Sequence, residues 1–417
     1  MPSLSLSTVK KDALDRVLSD AVATKSTPAL FLGVTTVDGP IYMQTVGKKL
    51  VDDPESASID ENTVFALFSQ TKLITTIAAM QLVEQGKITL DTPVETVLPE
   101  LANPVVVTAH DETGRATTTV PAKGKITLGQ LLNHTSGLNY FMDGIPPSDV
   151  VSPAYRHDYK DDEDVSTFFK ILKGSHPGVP LSFEPGTNFA YGYSTDCVGF
   201  VVERLSGKTL EQYFQDHIFA PLGITSASFC LTPASKERLL PLSYRAKSGE
   251  AVERWNRPPV FERDPASVRV HLGGVGLYAS QKDYLALLRH LLQIKAGSAT
   301  TPILSRSTVD SMFAPSLPAA AAATLNGFIG LLHPHLGLPA GTAQFGRGLL
   351  VNTADVEGKR RSGSGCWSGM AMTSYFLDPD AGIAVVFATQ LLPAVDGTHE
   401  RMYDIVEREI YAGLTTR

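Results

Sequence analysis

The sequence contains few cysteines and no long apolar run. Its three cysteines, Cys197, Cys230 and Cys366, are odd in number and far apart, which argues against a disulfide framework and favours reduced thiols. No stretch is apolar for long enough to span a bilayer, and the N-terminal residues lack the basic and then apolar segments of a secretory signal. We therefore expect a cytoplasmic protein with no membrane partner.

Charge is also scarce. Charged residues make up only 19% of the 417 residues, the net charge is −7, and Lys and Arg form no stripe. This composition argues against a nucleic-acid partner. Hydrophobic residues make up 43%, which is typical of a compact globular protein, and the length allows two packed units.

Several catalytic motifs are missing as well. The chain has no G-x-S-x-G, no H-E-x-x-H and no paired C-x-x-C, which argues against an α/β-hydrolase triad and the common zinc sites. His333-Pro334-His335 is only a weak metal signal, and the glycines at 273, 274 and 276 lack the lysine of a P-loop. We expect no metal and no organic cofactor.

The most informative segment present is Ser69-Gln70-Thr71-Lys72, at the start of a strongly helical stretch. A serine hydroxyl needs a base to become a nucleophile, and a lysine three residues later lies on the same helix face. Apolar residues recur at helical spacing as far as Gly86, a typical residue just after a helix. In the first turn the helix dipole favours a serine alkoxide and disfavours a charged lysine. The pattern predicts a Ser-Lys nucleophile.

This spacing has a second interpretation, in which Ser69 caps the helix and Lys72 is solvated. The same spacing recurs at Ser7-Thr8-Val9-Lys10 near the N-terminus. Two observations favour catalysis: a lysine at the positive end of a helix is mildly unfavourable, and the apolar residues 64–68 that precede Ser69 indicate burial.

The order of elements predicts the fold class. Residues 10–23 have the pattern of an amphipathic helix, and residues 29–47 that of two strands joined by a turn. Mainly helices and loops follow Ser69, and strands return at 370–388 before a closing helix at 400–412. We expect an α/β (α+β) fold in which an antiparallel sheet, flanked by helices, is formed from both chain ends around a mostly helical inserted domain.

We assign residues 1–66 and 267–417 to the sheet domain and residues 67–266 to the helical domain, with the active site between them. Two local expectations accompany this division. The alanine-rich residues 319–323 are expected to form a surface excursion, and the acidic residues 158–164 a solvated loop and helix start.

Five segments occur in the order of one protein family: Phe68-Ser69-Gln70-Thr71-Lys72; Leu131-Leu132-Asn133-His134-Thr135-Ser136-Gly137-Leu138; Pro185-Gly186 before Tyr191; Gly273-Gly274-Val275-Gly276-Leu277-Tyr278; and Trp367-Ser368-Gly369 before Asp378-Pro379. Together they resemble the serine β-lactamase and penicillin-recognising superfamily, with its β-lactamase/transpeptidase-like fold. Within its class C-like branch the chain is similar to the family VIII carboxylesterases and the fungal statin acyltransferases. The resemblance spans roughly residues 10–415.

The resemblance implies a role for each matching residue. Ser69 would be the acyl-accepting nucleophile and Lys72 its base. The third member is a tyrosine, either Tyr191 or Tyr193, and Tyr191 follows Pro185-Gly186 at the usual distance. Tyr193 and Gly274 would then line the substrate site. His134 belongs to a motif that is expected to form a turn held by side-chain hydrogen bonds.

The segment at Trp367, Ser368 and Gly369 would line the site, and the backbone N–H groups of Ser69 and Met370 would form the oxyanion hole. Lactamases carry a lysine at the position of Trp367 and an asparagine at that of Tyr193. Both departures disfavour β-lactam hydrolysis and point to a less polar acyl or alcohol group.

The resemblance therefore implies a serine hydrolase that cleaves a small-molecule ester or thioester through an acyl-enzyme on Ser69. An acyltransferase of secondary metabolism would use the same residues and pass the acyl group to an alcohol. A β-lactamase or D-alanyl peptidase, and an inactive binding protein on the same fold, are weaker alternatives.

Overall fold

The computed structural model describes residues 4–112, 114–140, 142, 152–246, 251–256 and 268–416. The helices are α1 Thr8–Ala23, α2 Thr71–Glu84, α3 Leu128–Leu132, α4 Pro153–Arg156, α5 Val165–Lys173, α6 Ser194–Ser206, α7 Leu210–Phe214, α8 Ala220–Leu222, α9 Pro233–Arg238, α10 Gln281–Ala296, α11 Arg306–Met312, α12 Ala319–Leu332 and α13 Gly397–Gly413. None of these helices is long and apolar enough to cross a membrane.

The strands are β1 Leu4–Leu6, β2 Leu30–Thr35, β3 Pro40–Val46, β4 Val64–Ala66, β5 Val105–His110, β6 Ala116–Pro121, β7 Pro180–Leu181, β8 Ser243–Tyr244, β9 Glu253–Arg254, β10 Tyr278–Ser280, β11 Ala343–Phe345, β12 Leu350–Asn352, β13 Gly365–Gly369, β14 Thr373–Asp378, β15 Ile383–Ala388, β16 Leu391–Leu392 and β17 Leu414–Thr416. Short 3₁₀ turns occur at Phe68–Gln70, Val94–Thr96, Pro99–Leu101 and Pro334–Leu336, and a π-helical turn at Gln215–Phe219.

The main sheet has seven strands in the order β11-β12-β13-β14-β15-β2-β3. Every neighbouring pair is antiparallel. Strands from residues 30–46 thus complete a sheet whose other strands lie at residues 343–388, and β1 pairs with β17 at the two ends of the chain. The predicted antiparallel sheet from both chain ends is confirmed.

Strand β15 explains how helices cover both faces of this sheet. All six of its residues are buried, and successive side chains point to opposite faces. Val386 packs in one apolar cluster with Leu288 of α10, whereas Val385 packs in a second cluster with Leu14 of α1 and Val406 of α13. A strand buried on both faces is apolar throughout, as the sequence Ile-Ala-Val-Val-Phe-Ala is.

The long stretch between the two halves of the sheet is mainly helical, and it also contains a small sheet of β5, β6 and β7 that the sequence did not reveal. The central helix α2 is buried from Thr71 to Leu82. The proposed division into two domains remains a prediction, and its boundary at residues 266 and 267 lies outside the described residues.

The expected surface excursion at residues 319–323 is wrong, because these residues begin α12. Alanine has the highest helix propensity, and Ala321, Leu325 and Ile329, spaced four apart, are buried against the main sheet's second apolar cluster. The acidic run does end in a helix start, since Asp164 caps α5 by accepting a hydrogen bond from the N–H of Ser166.

Candidate active site

Ser69 lies in the 3₁₀ turn Phe68–Gln70, which runs directly into α2. Phe68 has a φ of +47°, a left-handed conformation that costs energy in a residue other than glycine. The cap residue of α2 is Gln70, and no side chain caps the helix. Ser69 is 9% exposed and its hydroxyl accepts a hydrogen bond from Lys72. The geometry therefore does not support Ser69 as a helix cap.

Lys72 is buried, with 2% exposure, and its ammonium nitrogen meets three oxygens. Nζ lies 3.1 Å from Ser69 Oγ, 3.1 Å from the hydroxyl of Tyr140 and 2.8 Å from the carbonyl oxygen of Gly274. It also lies over the ring of Tyr191, 4.7 Å from the centroid. The side chain of Lys72 thus has one fixed position, with its nitrogen beside the serine oxygen.

Tyr191 contacts Lys72 through its ring face, while its hydroxyl points to the main sheet. Trp367 Nε1 on β13 donates a hydrogen bond of 2.9 Å to this hydroxyl, and the two ring centroids are 5.0 Å apart. The structure therefore brings together Ser69, Lys72, Tyr191 and Trp367, which the sequence placed in one site.

A second tyrosine, Tyr140, makes the hydrogen bond to Lys72 and was missed in the sequence analysis. Its hydroxyl lies 2.9 Å from that of Tyr155, which donates a 2.6 Å hydrogen bond to Oδ2 of Asp196. Oδ1 of the same carboxylate accepts a hydrogen bond of 2.8 Å from the N–H of Gly274. These contacts form a closed ring that starts and ends at Lys72. No spacing rule connects Tyr140 or Tyr155 to Ser69, so the sequence offered no signal for these two tyrosines, whereas Gly274 was placed in the site by its motif.

The groups of this ring are buried, and burial dominates their titration. It raises the pKa of Tyr140 and of Tyr155 well above that of an ordinary phenol, so both stay protonated. Burial also raises the pKa of Asp196, while the positive charge of Lys72 opposes that shift.

The end of β13 packs tightly against the serine turn. A Cβ on Gly369 would lie 2.3 Å from the carbonyl oxygen of Leu67 and 2.2 Å from Oγ1 of Thr373, so no side chain fits there. Met370 follows β13 and packs in an apolar cluster with Phe68. The two residues expected to form the oxyanion hole, Ser69 and Met370, thus lie on adjoining segments.

The remaining predicted residues lie close by in different roles. Gly274 joins Lys72 to Asp196 through its backbone, and a Cβ there would lie 2.7 Å from Oδ2 of Asp196. Tyr193 is buried with its ring 4.9 Å from that of Tyr140. Ser368 lines a cavity along β13 together with Trp367.

His134 is buried in a left-handed conformation, with a φ of +61°. Its ring packs 4.9 Å from that of Tyr191, and its Nδ1 is buried without a hydrogen-bond partner among the described residues. Burial, helped by the nearby charge of Lys72, lowers the pKa of His134 well below its usual value. His134 is thus a neutral packing residue of its turn.

Comparisons with known proteins show the family of this chain. The family model described as Beta-lactamase matches residues 14–407. The chain is 30% identical over 412 residues to monacolin J acid methylbutanoyltransferase of Aspergillus terreus, covering 96% of this chain and 95% of the relative. It is 33% identical over 368 residues to lovastatin esterase of Penicillium rubens, covering 86% and 87% of the two chains.

The solved structure of unliganded simvastatin synthase from Aspergillus terreus superposes with a TM-score of 0.80 at 27% identity, covering 97% of this chain and 99% of that one. This likeness confirms the β-lactamase/transpeptidase-like α/β fold. Because the family model spans most of the sequence, the chain belongs to the beta-lactamase family and is an enzyme of the β-lactamase-like superfamily.

Proposed function

We propose that this enzyme is a serine carboxylesterase that cleaves small-molecule esters or thioesters through an acyl-enzyme on Ser69. The observation that carries the proposal is the set of three contacts at Lys72 Nζ, to Ser69, Tyr140 and Gly274. They supply a base beside the hydroxyl, which a serine nucleophile requires.

The three contacts also orient the base. The Gly274 carbonyl can only accept a hydrogen bond. The hydroxyl of Tyr140 accepts a hydrogen bond from Lys72 Nζ and lies 2.9 Å from the hydroxyl of Tyr155. A neutral amine has two hydrogens and one lone pair. Tyr140 and Gly274 occupy two of the hydrogen positions around Nζ, and the third faces Ser69, so when Lys72 is in its neutral, base form the lone pair faces the hydroxyl of Ser69.

The reaction then follows in two halves. Ser69 Oγ bonds to the carbonyl carbon while its proton passes to Lys72 Nζ, and the N–H groups of Ser69 and Met370 hold the developing oxyanion. The bond to the alcohol oxygen breaks as that oxygen takes the proton held at Lys72 Nζ. Tyr191 is the predicted relay of this proton, and its hydroxyl would have to turn from Trp367 toward Nζ to act, because its ring face meets Nζ in the structure. Water then bonds to the acyl carbon and gives a proton to Lys72 Nζ. The bond between the acyl carbon and Ser69 Oγ breaks, Oγ takes that proton back, and the acid is released.

The substrate class follows from the residues around this centre. Trp367 stands where lactamases carry a lysine for the substrate carboxylate, and Tyr193 where they carry an asparagine. Both are aromatic, and Tyr193 is buried against the ring of Tyr140. An ester with a largely apolar acyl or alcohol group suits this lining better than a β-lactam.

Acyl transfer to an alcohol is the second candidate, favoured by the relative that is a methylbutanoyltransferase and matches 96% of this chain. The chemistry is the same up to the acyl-enzyme, and only the second acceptor differs. Adding an alcohol during turnover and measuring the ratio of ester to acid products separates the two. A product mixture unchanged by alcohol would exclude transfer to that alcohol.

The test of the proposal is intact-protein mass spectrometry after mixing with p-nitrophenyl butyrate, with p-nitrophenol release followed in parallel. The wild type is expected to gain one butyryl group and release p-nitrophenol, and Ser69→Ala to do neither. Ser7→Ala is a matched control, because Ser7 and Lys10 have the same spacing and Ser7 makes no side-chain cap bond. Turnover by Ser69→Ala equal to that of the wild type would refute the nucleophile.

A further inference from the structure

A second cluster of reactive side chains lies at the far end of the cavity along β13. His333 and His335 flank Pro334 just after α12, and Glu400 lies in the first turn of α13. One ligand atom from each of the three lies within 4.8 Å of those of the other two. Within the part of the chain that the structure describes, this is the one group of His, Cys and carboxylate side chains close enough to share a metal ion.

The spacing of His335 and Glu400 suits a shared ion. Nδ1 of His335 lies 3.3 Å from Oε1 of Glu400, yet this nitrogen is buried without a hydrogen-bond partner among the described residues. Two ligands about 2.0–2.1 Å from a tetrahedral ion are about 3.3 Å apart. The ligand atom of His333 lies within 4.8 Å of both, close enough for a side-chain rotation to bring it to the same ion.

The surroundings hold these ligands in place. Lys359 Nζ donates a 2.7 Å hydrogen bond to the carbonyl oxygen of His335 and thereby fixes the loop. His399 lines the same cavity, and neither of its ring nitrogens has a hydrogen-bond partner among the described residues.

The cavity offers room and access. Its volume is ≈ 50 Å³, several times the about 10–15 Å³ that one water needs, and His333, His335 and Glu400 all line it. Ser368 and Gly369, beside the serine turn, line it too. An ion held by three protein ligands would therefore keep a fourth position open to the cavity, where water or an anionic group can bind.

We propose that His333, His335 and Glu400 form a binding site for a divalent transition-metal ion such as Zn²⁺, at the end of the cavity that runs along β13. Two imidazoles and one carboxylate are a ligand set that zinc uses, whereas calcium and magnesium prefer oxygen ligands alone. This site is separate from the Ser-Lys centre and does not depend on the proposed esterase activity.

Zinc titration of chelator-treated full-length protein by calorimetry tests the site. The wild type is expected to bind one ion per chain, and His335→Ala and Glu400→Gln each to weaken binding by at least about tenfold. His157→Ala is the matched control, since His157 pairs with Glu163 at 2.9 Å and belongs to no such cluster. Its affinity for zinc should equal that of the wild type.

Two results would overturn the proposal. No zinc binding by the wild type would leave His335 and Glu400 a simple ion pair, and equal binding by all variants would mean that the zinc is adventitious. A variant can lose zinc binding because it fails to fold, so a second measurement uses the wild-type protein alone. Addition of Co²⁺ should produce visible d–d absorption that zinc abolishes, and its absence would also refute the site. Activity toward p-nitrophenyl butyrate is not needed for either measurement.

Discussion

Replacing Tyr140 by Phe removes one hydroxyl from the ring of contacts around Lys72 and leaves the aromatic packing in place. In the wild type this hydroxyl accepts a hydrogen bond from Lys72 Nζ at 3.1 Å. A hydrogen bond to a charged group is worth about 1.5–3 kcal/mol. If the bond is retained in the transition state, its loss lowers kcat/KM about 10- to 150-fold.

The assay is hydrolysis of p-nitrophenyl butyrate, with kcat and KM determined separately. We expect the loss in kcat, because Tyr140 orients the base and is not predicted to touch the substrate. Lys72→Ala and Tyr191→Phe, which change the proposed base and proton relay themselves, should each cost about 10²–10⁴-fold. The loss for Tyr140→Phe should therefore lie at or below the lower end of that range.

Tyr42→Phe is the matched control for loss of a buried phenol. Tyr42 donates a 2.7 Å hydrogen bond to Asp15 between α1 and β3, away from the contacts of Lys72. This variant should lose stability but keep its kcat. Even a neutral hydrogen bond is worth about 0.5–1.5 kcal/mol. If folded Tyr140→Phe enzyme has a kcat within about twofold of the wild type, the hydrogen bond from Lys72 to Tyr140 does not orient the base.

Three further changes test other parts of the site. Gly369→Ala should lower kcat about 10²-fold in a folded enzyme, because the added Cβ would clash with the Leu67 carbonyl and shift an N–H donor of the oxyanion hole. An unchanged kcat would contradict the predicted oxyanion hole. Trp367→Phe should lower kcat about 2- to 12-fold, which corresponds to the loss of its hydrogen bond to Tyr191. In a Tyr191→Phe background the same change should cause no further loss, and additive losses would contradict the coupling of the two residues. Burial lowers the pKa of His134 in the folded protein, so as the pH falls below about 6.5 only the unfolded chain binds a proton at this side chain. The free energy of unfolding should therefore drop by up to about 1.4 kcal/mol per pH unit. Asparagine tolerates the left-handed backbone, so His134→Asn should give a free energy of unfolding, measured with denaturant, that depends less on pH over this range. The same pH dependence in the variant and the wild type would contradict the prediction.

The contact between Ser69 and Lys72 and the main sheet were predictable because their signals are local. Ser69 and Lys72 are three residues apart on one helical turn, and Ile383–Ala388 is apolar throughout because both faces of β15 are covered. Local periodicity also gave the strand pair β2 and β3. It failed at residues 319–323, where a run of alanines was taken for low complexity although alanine is the best helix former.

Contacts between distant segments were not predictable from spacing. Tyr140 lies 68 positions from Lys72 and outside the described helices and strands, and the two meet only because the fold brings them together. Glu400 is likewise far from His333 and His335 in the sequence and close to them in the fold. A single sequence shows residue types at such positions but contains no measure of their proximity.

Trp367 connects the departure in sequence to the chemistry. Its indole N–H can only donate, and it donates to the hydroxyl oxygen of Tyr191. A lysine at this position would bring a positive charge to a substrate carboxylate, whereas the indole brings none. Because Trp367 occupies a lone pair of the Tyr191 oxygen, the phenol proton stays available for donation, as the proposed role of Tyr191 as a proton relay requires. A donor is what an alkoxide leaving group requires when an ester is cleaved. Under the proposed mechanism, Trp367 would therefore both remove a recognition element for β-lactams and hold the tyrosine for ester cleavage.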